Sequence, residues 1–92
     1  MAQYVLLMKG TAGDPDSWTR YVERLIATGK FRGGSSLGNG ASIRKGAEDS
    51  PCVVTGHMRF EADSFDEARK LIEGNPVYEA GGEVELLEEV RT

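Results

Sequence analysis

The sequence predicts an α+β domain in which an antiparallel sheet carries both helices on one of its faces. Strand and helix patterns follow in the order strand, helix, strand, short strand or loop, strand, helix, strand, which gives two halves of similar length. The clearest unit, residues 53–76, is a strand that leads into a capped helix. This order is typical of the ferredoxin-like βαββαβ fold. We expect one such domain over residues 1–92.

The strand of this unit alternates between apolar and polar residues. Val54, Met58 and Phe60 share one side of the period-2 pattern, with Gly56 between them. The opposite side is polar and consists of Thr55, His57, Arg59 and Glu61. The apolar side should therefore pack under the helices, while the polar side faces away from the monomer core.

The helix that follows has recognisable signals at both ends. Ser64 and Glu67 form a capping-box pattern, in which each side chain reaches the backbone N–H of the other residue. Gly74 can adopt the left-handed conformation after the last turn, and Pro76 cannot continue the helix. Helical spacing predicts a buried stripe formed by Phe65, Ala68, Leu71 and Ile72.

The N-terminal half begins with a strand over residues 2–9, which is apolar on both faces and so suits a central position. Asp14 is a good N-cap for the first helix, Pro15 suits its first position, and Gly29 ends it. The predicted buried stripe of this helix consists of Trp18, Val22, Leu25 and Ile26, with Tyr21 beside it.

The remaining segments give weaker signals. Residues 31–37 are a weak strand, in which Gly33 and Gly34 allow a bulge or a close approach of the backbone. Residues 38–51 are predicted to form a loop, with a short strand at residues 41–44. A turn-rich link over residues 77–82 then leads to the last strand at residues 83–90.

Composition disfavours several classes of partner. The net charge is −4 and no Lys/Arg cluster stands out, which disfavours nucleic acid and anionic membranes. The first residues lack a charged segment, and their apolar run is too short for a signal peptide or a membrane span. Cys52 is the single cysteine, so no internal disulfide can form. We therefore expect a soluble, cytoplasmic protein.

One sheet face should be uncovered within the monomer. It carries Thr55, His57 and Arg59, which form a semi-polar surface. A domain of this size buries only about 60–65% of its unfolded surface, so its core is marginal. A second copy that packs its sheet on this face would cover it, and the sequence therefore predicts a homodimer.

The chain resembles the YCII-related (DGPF-type) domain family. Residues 56–68, Gly-His-Met-Arg-Phe-Glu-Ala-Asp-Ser-Phe-Asp-Glu-Ala, are similar to the family's strand–helix core. Asn75-Pro76 followed by residues 80–86, Ala-Gly-Gly-Glu-Val-Glu-Leu, is similar to its ending. Residues 4–8 and 29–37 are similar to its first strand and its post-helix strand. The resemblance implies a dimeric α/β barrel with a cleft in each protomer.

The YciI-like branch of that family carries a His-Asp pair in the cleft, which is suspected of acid–base work. The matching places in this chain hold Trp18 and Asn75, neither of which transfers a proton near neutral pH. The Asp-Gly-Pro-Phe signature is also absent, and the nearest segment is residues 48–51, Glu-Asp-Ser-Pro. The resemblance therefore implies the fold, whereas the absence of the His-Asp pair disfavours acid–base catalysis of the YciI-like type.

We expect a small ligand, which could be anionic, in the cleft between the facing sheets of the dimer. Five residues are candidates for contact with it: His57, Arg59, Trp18, Asn75 and Tyr78. His57 is the single histidine and the one candidate acid–base group near neutral pH, with a hydrogen-bonded place in a dimer interface as the alternative. Arg59 can bind a carboxylate or phosphate, or form a salt bridge with Glu61 or a partner carboxylate. Trp18 and Tyr78 could line an aromatic pocket, although Trp18 also suits core packing.

Three functional classes stay open at this stage. The first is a small-molecule binding protein that works without a cofactor or metal, since one His and one Cys make no ligand cluster. The second is an enzyme with lyase-like or oxygenase-like chemistry that uses His57, by analogy with other dimeric α/β barrels. The third is a regulatory accessory protein, because relatives are often encoded near alternative sigma factors.

Overall fold

The computed structural model describes residues 1–90 and contains a four-stranded sheet with helices on one side. The elements in chain order are β1 Ala2–Lys9, α1 Pro15–Thr28, β2 Phe31–Ser36, β3 Ala41–Ser42, β4 Ser50–Pro51, β5 Val54–Ala62, α2 Phe65–Lys70, α3 Pro76–Glu79 and β6 Val84–Glu89. The main sheet has the order β2-β5-β1-β6, and every neighbouring pair is antiparallel. The predicted ferredoxin-like α+β architecture is therefore present.

The central pair β1–β5 separates two sets of side chains. Leu6 of β1 lies opposite Met58 of β5 and Leu86 of β6, on the face that packs under the helices. The other face has no cover within residues 1–90, and we call it the open face. It carries Gln3, Val5, Leu7, Lys9, Ser35, Thr55, His57, Arg59, Glu61, Glu85, Leu87 and Glu89. The predicted alternation of β5 is confirmed, because Met58 and Phe60 are buried.

Most of the predicted helix ends are confirmed. The Asp14 side chain accepts a hydrogen bond from the Ser17 N–H at 2.7 Å, and Gly29 has a left-handed φ of 74°. The Ser64 hydroxyl accepts from the Glu67 N–H at 3.1 Å. The second half of the predicted capping box was wrong, because the Glu67 carboxylate forms an ion pair with Lys30 instead.

The buried side of each helix differs from the sequence prediction at one residue. Ile26 is 60% exposed, whereas Tyr21 is buried. The reason is geometric. The packed stripe of α1 is formed by residues 18, 21, 22 and 25, and the Ile26 side chain leaves the helix about 90° away from the middle of that stripe. Phe65 is also half-exposed and meets the edge of the Tyr4 ring at 6.2 Å between centroids.

The segment after α2 contains a helix where the sequence predicted only a turn-rich link. Regular α2 ends at Lys70, and turns lead to Gly74, which has a φ of 88°. Asn75 then caps α3 and Pro76 occupies its first position. This is the same cap-proline pair that starts α1 at residues 14–15, so the signal for a second helix start was present in the sequence.

The backbones of β2 and β5 approach closely at Gly34, as the glycine pair predicted. The register shifts between Phe31 and Gly34. A Cβ atom at Gly34 would lie 2.3 Å from the His57 carbonyl oxygen, which belongs to the neighbouring strand and cannot rotate away. Because Gly34 has no side chain, β2 can pair closely with β5 at this point.

We expect Gly34→Ala to lower the free energy of unfolding by about 1–3 kcal/mol, because overpacking against the backbone must shift a strand. Gly38→Ala is the matched control, since a Cβ atom there meets nothing within 4 Å. Urea unfolding of both variants measures the difference. Equal midpoints for Gly34→Ala and Gly38→Ala would show that β2 adjusts freely, contrary to this account.

Candidate functional site

A cavity of about 450 Å³ lies between α1 and the helix-facing side of the sheet. We call it the α1 cavity. Its apolar wall consists of Met8, Trp18, Val22, Phe31, Met58 and Val77. Thr11, Ser35, Ser36 and Thr55 also border it. Of these, Ser35 and Thr55 belong to the open face, and the Thr55 hydroxyl already donates to the Met8 carbonyl oxygen at 3.3 Å. No Asp, Glu, Lys or Arg is among the described residues that line it, so the cavity is suited to an uncharged molecule.

Trp18 is held in one orientation at this wall. Its indole Nε1–H donates to the Ala12 carbonyl oxygen at 2.8 Å, which ties the first helix to the loop after β1. Its ring meets Tyr21 edge-on, with 6.2 Å between centroids. Because the indole N–H is already satisfied, the side chain offers the cavity an aromatic surface and no free donor. Trp18 is also the single tryptophan of the chain.

Asn75 lies one layer below the wall and is fully buried. Its Oδ1 accepts from the N–H groups of Val77 at 3.0 Å and Tyr78 at 3.1 Å, which caps α3. Its Nδ2 points towards two thioethers, 3.4 Å from Met8 Sδ and 3.9 Å from Met58 Sδ. Since both methionines line the α1 cavity, they stand between the amide and the space above it.

Tyr21 completes this polar layer without being an acid–base group near neutral pH. Its hydroxyl donates to the Leu71 carbonyl oxygen at 2.7 Å. Burial raises the pKa of Tyr21 to about 12, against smaller opposite effects of hydrogen bonding with Asn75 and of the Arg24 charge. The phenol therefore stays neutral and serves to join α1 to the end of α2.

His57 and Arg59 lie away from this cavity, on the open face. Gly56 and Met58 point to the helices, so alternation sends the His57 side chain to the opposite face, and His57 borders the cavity with its backbone. Arg59 pairs with Glu89 at 2.6 Å. The sequence suggested Glu61 as its neighbour, but that carboxylate pairs with Arg32 at 2.8 Å. An anion bound by Arg59 would have to compete with the Glu89 carboxylate for the guanidinium charge.

Tyr78 lies in a third place. It is half-exposed in a shallow groove of about 230 Å³ that it shares with Phe65, Ile72 and Leu86. The five candidate residues therefore do not form one site: Trp18 is in the cavity wall, Asn75 is beneath it, and the other three lie elsewhere. Sequence reasoning missed Met8, Phe31, Met58 and Val77 as wall residues, because their patterns are those of ordinary core residues.

No group of three or more His, Cys, Asp or Glu side chains that could hold a metal ion occurs within residues 1–90. No helix in this range is long and apolar enough to cross a membrane.

Comparison with known proteins supports the fold. No protein-family model and no curated protein matches the sequence. A solved structure does match: 5-chloro-2-hydroxyhydroquinone dehydrochlorinase (TftG) from Burkholderia phenoliruptrix AC1100, in complex with 2,5-dihydroxybenzoquinone. The TM-score is 0.52 at 20% identity, and the match covers 98% of this chain and 93% of the other. At this identity the likeness establishes a shared α+β fold, and the YCII-related family stays a prediction.

We expect Asn75→Ala to lower the free energy of unfolding by about 2 kcal/mol or more, since it removes a cap and leaves buried N–H groups unpaired. Ser64→Ala is the control, because it removes the exposed cap of α2 and should cost only about 1 kcal/mol. Chemical denaturation of both variants provides the measurement. A loss no greater for Asn75→Ala than for Ser64→Ala would contradict the structural role assigned to Asn75.

Proposed function

We propose that this protein binds a small, uncharged and mainly apolar molecule, of about the size of a substituted aromatic ring, in the α1 cavity. The observation that carries the proposal is the cavity itself, at about 450 Å³ with an aromatic and thioether wall. Ligand sites of about 300–1,000 Å³ with mostly apolar walls and a few polar groups are typical of small-molecule binding. Methionine side chains add a wall that can adapt to the shape of a ligand.

The structural neighbour adds support of a general kind. TftG has the same fold and its structure holds 2,5-dihydroxybenzoquinone, a planar ring with oxygen substituents. A molecule of that class would fit a wall formed by Trp18, Phe31 and two methionines. This proposal replaces the anionic ligand suggested by Arg59, because that side chain is paired on the other face of the sheet.

Binding is favoured over catalysis by the chemistry of the wall. An acid–base enzyme needs a group that titrates near the working pH and reaches the ligand. The one histidine, His57, directs its side chain to the open face, and Tyr21 is a neutral phenol beneath the wall. The enzymatic and regulatory alternatives therefore lack a supporting contact among the residues that line the cavity.

We expect uncharged aromatic compounds such as hydroquinone to change the fluorescence of Trp18, whereas benzoate of similar size should not. Val22→Phe should weaken this binding about tenfold or more, which corresponds to about 1.4 kcal/mol, because the larger ring fills the cavity. Ile26→Phe is the matched control, since it makes a similar enlargement on the exposed side of the same helix. Fluorescence titration of the three proteins gives the affinities.

Two results would overturn the proposal. One is the absence of any saturable response to uncharged ligands at millimolar concentration. The other is an equal affinity of the Val22→Phe and Ile26→Phe variants, which would place the ligand outside the cavity. Turnover of a bound compound would instead favour the enzymatic alternative.

We further propose that two copies pack their open faces together, as the sequence predicted. The centre of that face is apolar. Val5 of β1 lies opposite Leu87 of β6, and Leu7 follows on the same face of β1, between β5 and β6. Ion pairs flank this centre on both sides, namely Lys9–Glu85 and Arg59–Glu89. A half-exposed apolar centre with a charged rim is the usual anatomy of a protein–protein interface. A cytoplasmic location remains part of this proposal.

We expect the protein to sediment as a dimer at micromolar concentration and the Leu87→Arg variant to sediment as a monomer, because the substitution buries an unpaired charge. Ile43→Arg is the matched control on the exposed β3–β4 hairpin and should stay dimeric. Analytical ultracentrifugation distinguishes these states. A monomeric unmodified protein, or dissociation by Ile43→Arg alone, would contradict the proposed interface.

A further inference from the structure

We infer that the Asn75 amide is a concealed hydrogen-bond donor of the α1 cavity, and that it selects ligands carrying a neutral oxygen acceptor such as a carbonyl group. This inference rests on the proposed function and deepens it, because it concerns the chemical class of the ligand. The juxtaposition behind it is specific: the amide Nδ2 faces Met8 Sδ and Met58 Sδ, and both methionines line the cavity.

The orientation of the amide is fixed by its other end. Oδ1 accepts from two backbone N–H groups at the start of α3, those of Val77 and Tyr78. A flipped amide would direct its NH₂ group at these donors and lose both hydrogen bonds, so Nδ2 must point towards the methionines. Because Asn75 is fully buried, water does not compete for this donor.

The partners on the cavity side are weak ones. A thioether sulfur is a poor acceptor, and the distances of 3.4 Å and 3.9 Å leave the contact well short of a good N–H···O bond. Methionine is unbranched with several rotatable bonds, so its sulfur can move aside at small cost. A ligand oxygen could then take the place of the sulfur and form a stronger hydrogen bond with Nδ2.

Neither neighbouring aromatic donor can supply the same contact, and the variants below distinguish Asn75 from the hydroxyl groups that border the cavity. The Trp18 indole N–H is committed to the Ala12 carbonyl oxygen, and the Tyr21 hydroxyl is committed to the Leu71 carbonyl oxygen. Without a ligand, the amide has the two sulfur atoms and the Tyr21 hydroxyl oxygen as acceptors, which limits the cost of burying it. Because Nδ2 carries two N–H groups, one of them is left to the sulfur atoms. The same arrangement makes the floor of the cavity selective once an oxygen acceptor arrives.

The test compares acetophenone with α-methylstyrene, which has nearly the same shape but carries a CH₂ group in place of the carbonyl oxygen. A purely apolar cavity would prefer α-methylstyrene, because the ketone loses hydration on entry. With Asn75 as donor, acetophenone should bind about fivefold to tenfold more tightly, in line with one net hydrogen bond. Calorimetry gives the affinities, and NMR of the Asn75 side-chain amide should show a shift with acetophenone only.

Two kinds of variant make the inference falsifiable in both directions. Asn75→Ser keeps a good capping side chain for α3 but removes the amide donor, so the preference for acetophenone should disappear. Met58→Leu conserves volume and removes one competing sulfur, so the preference should increase. This second variant retains Asn75 and guards against a folding defect in the first.

The outcomes distinguish the concealed donor from the binding function of the cavity. Equal binding of both compounds, or tighter binding of α-methylstyrene with no shift of the Asn75 amide, would overturn the concealed donor and leave the binding function intact. Failure of both compounds to bind would remove the binding function and the donor together. A preference for acetophenone that survives Asn75→Ser would assign the selectivity to another group and also overturn the inference.

Discussion

The antiparallel pairing of β1 with β5 is the constraint on which the rest of the structure depends. Leu6 lies opposite Met58, and this register fixes which side chains face the helices along the two central strands. A shift of one residue would exchange the two faces completely. The cavity lies on one side and the ion pairs Lys9–Glu85 and Arg59–Glu89 lie on the other, because this register holds.

The same constraint explains why the predicted site did not form as one unit. His57 and Met58 are adjacent in sequence but leave the strand on opposite sides, so only Met58 has its side chain at the cavity. The alternation was readable in the sequence, and it placed His57 and Arg59 on the outer face correctly. Their grouping with Trp18 followed from the inter-sheet cleft expected of the family resemblance rather than from the pattern of the strand.

Local signals predicted the elements well, whereas the cavity required knowledge of how the elements pack. Asp14, Ser64 and Gly29 act on backbone groups within a few residues, so their roles follow from sequence alone. The space beside α1 depends on the offset between Phe31 and Gly34 in β2 and on the path of α3. Nothing in a short window distinguishes a methionine that fills a core from one that lines a cavity.

An amide at residue 75 is consistent with an uncharged cavity. A carboxylate there would accept from the same two N–H groups of α3, but it would bury a negative charge beside two thioethers that cannot stabilise it. Asn75 satisfies the helix start equally well and directs an N–H group, rather than a charge, towards the cavity floor. Charged side chains pair on the sheet, as in Arg59–Glu89 and Arg32–Glu61, or lie on exposed helix surfaces, as Glu23 and Lys70 do. The fold therefore keeps a neutral chamber and a charged surface on opposite sides of one sheet, and a ligand of the chamber is recognised by shape and hydrogen bonding rather than by charge.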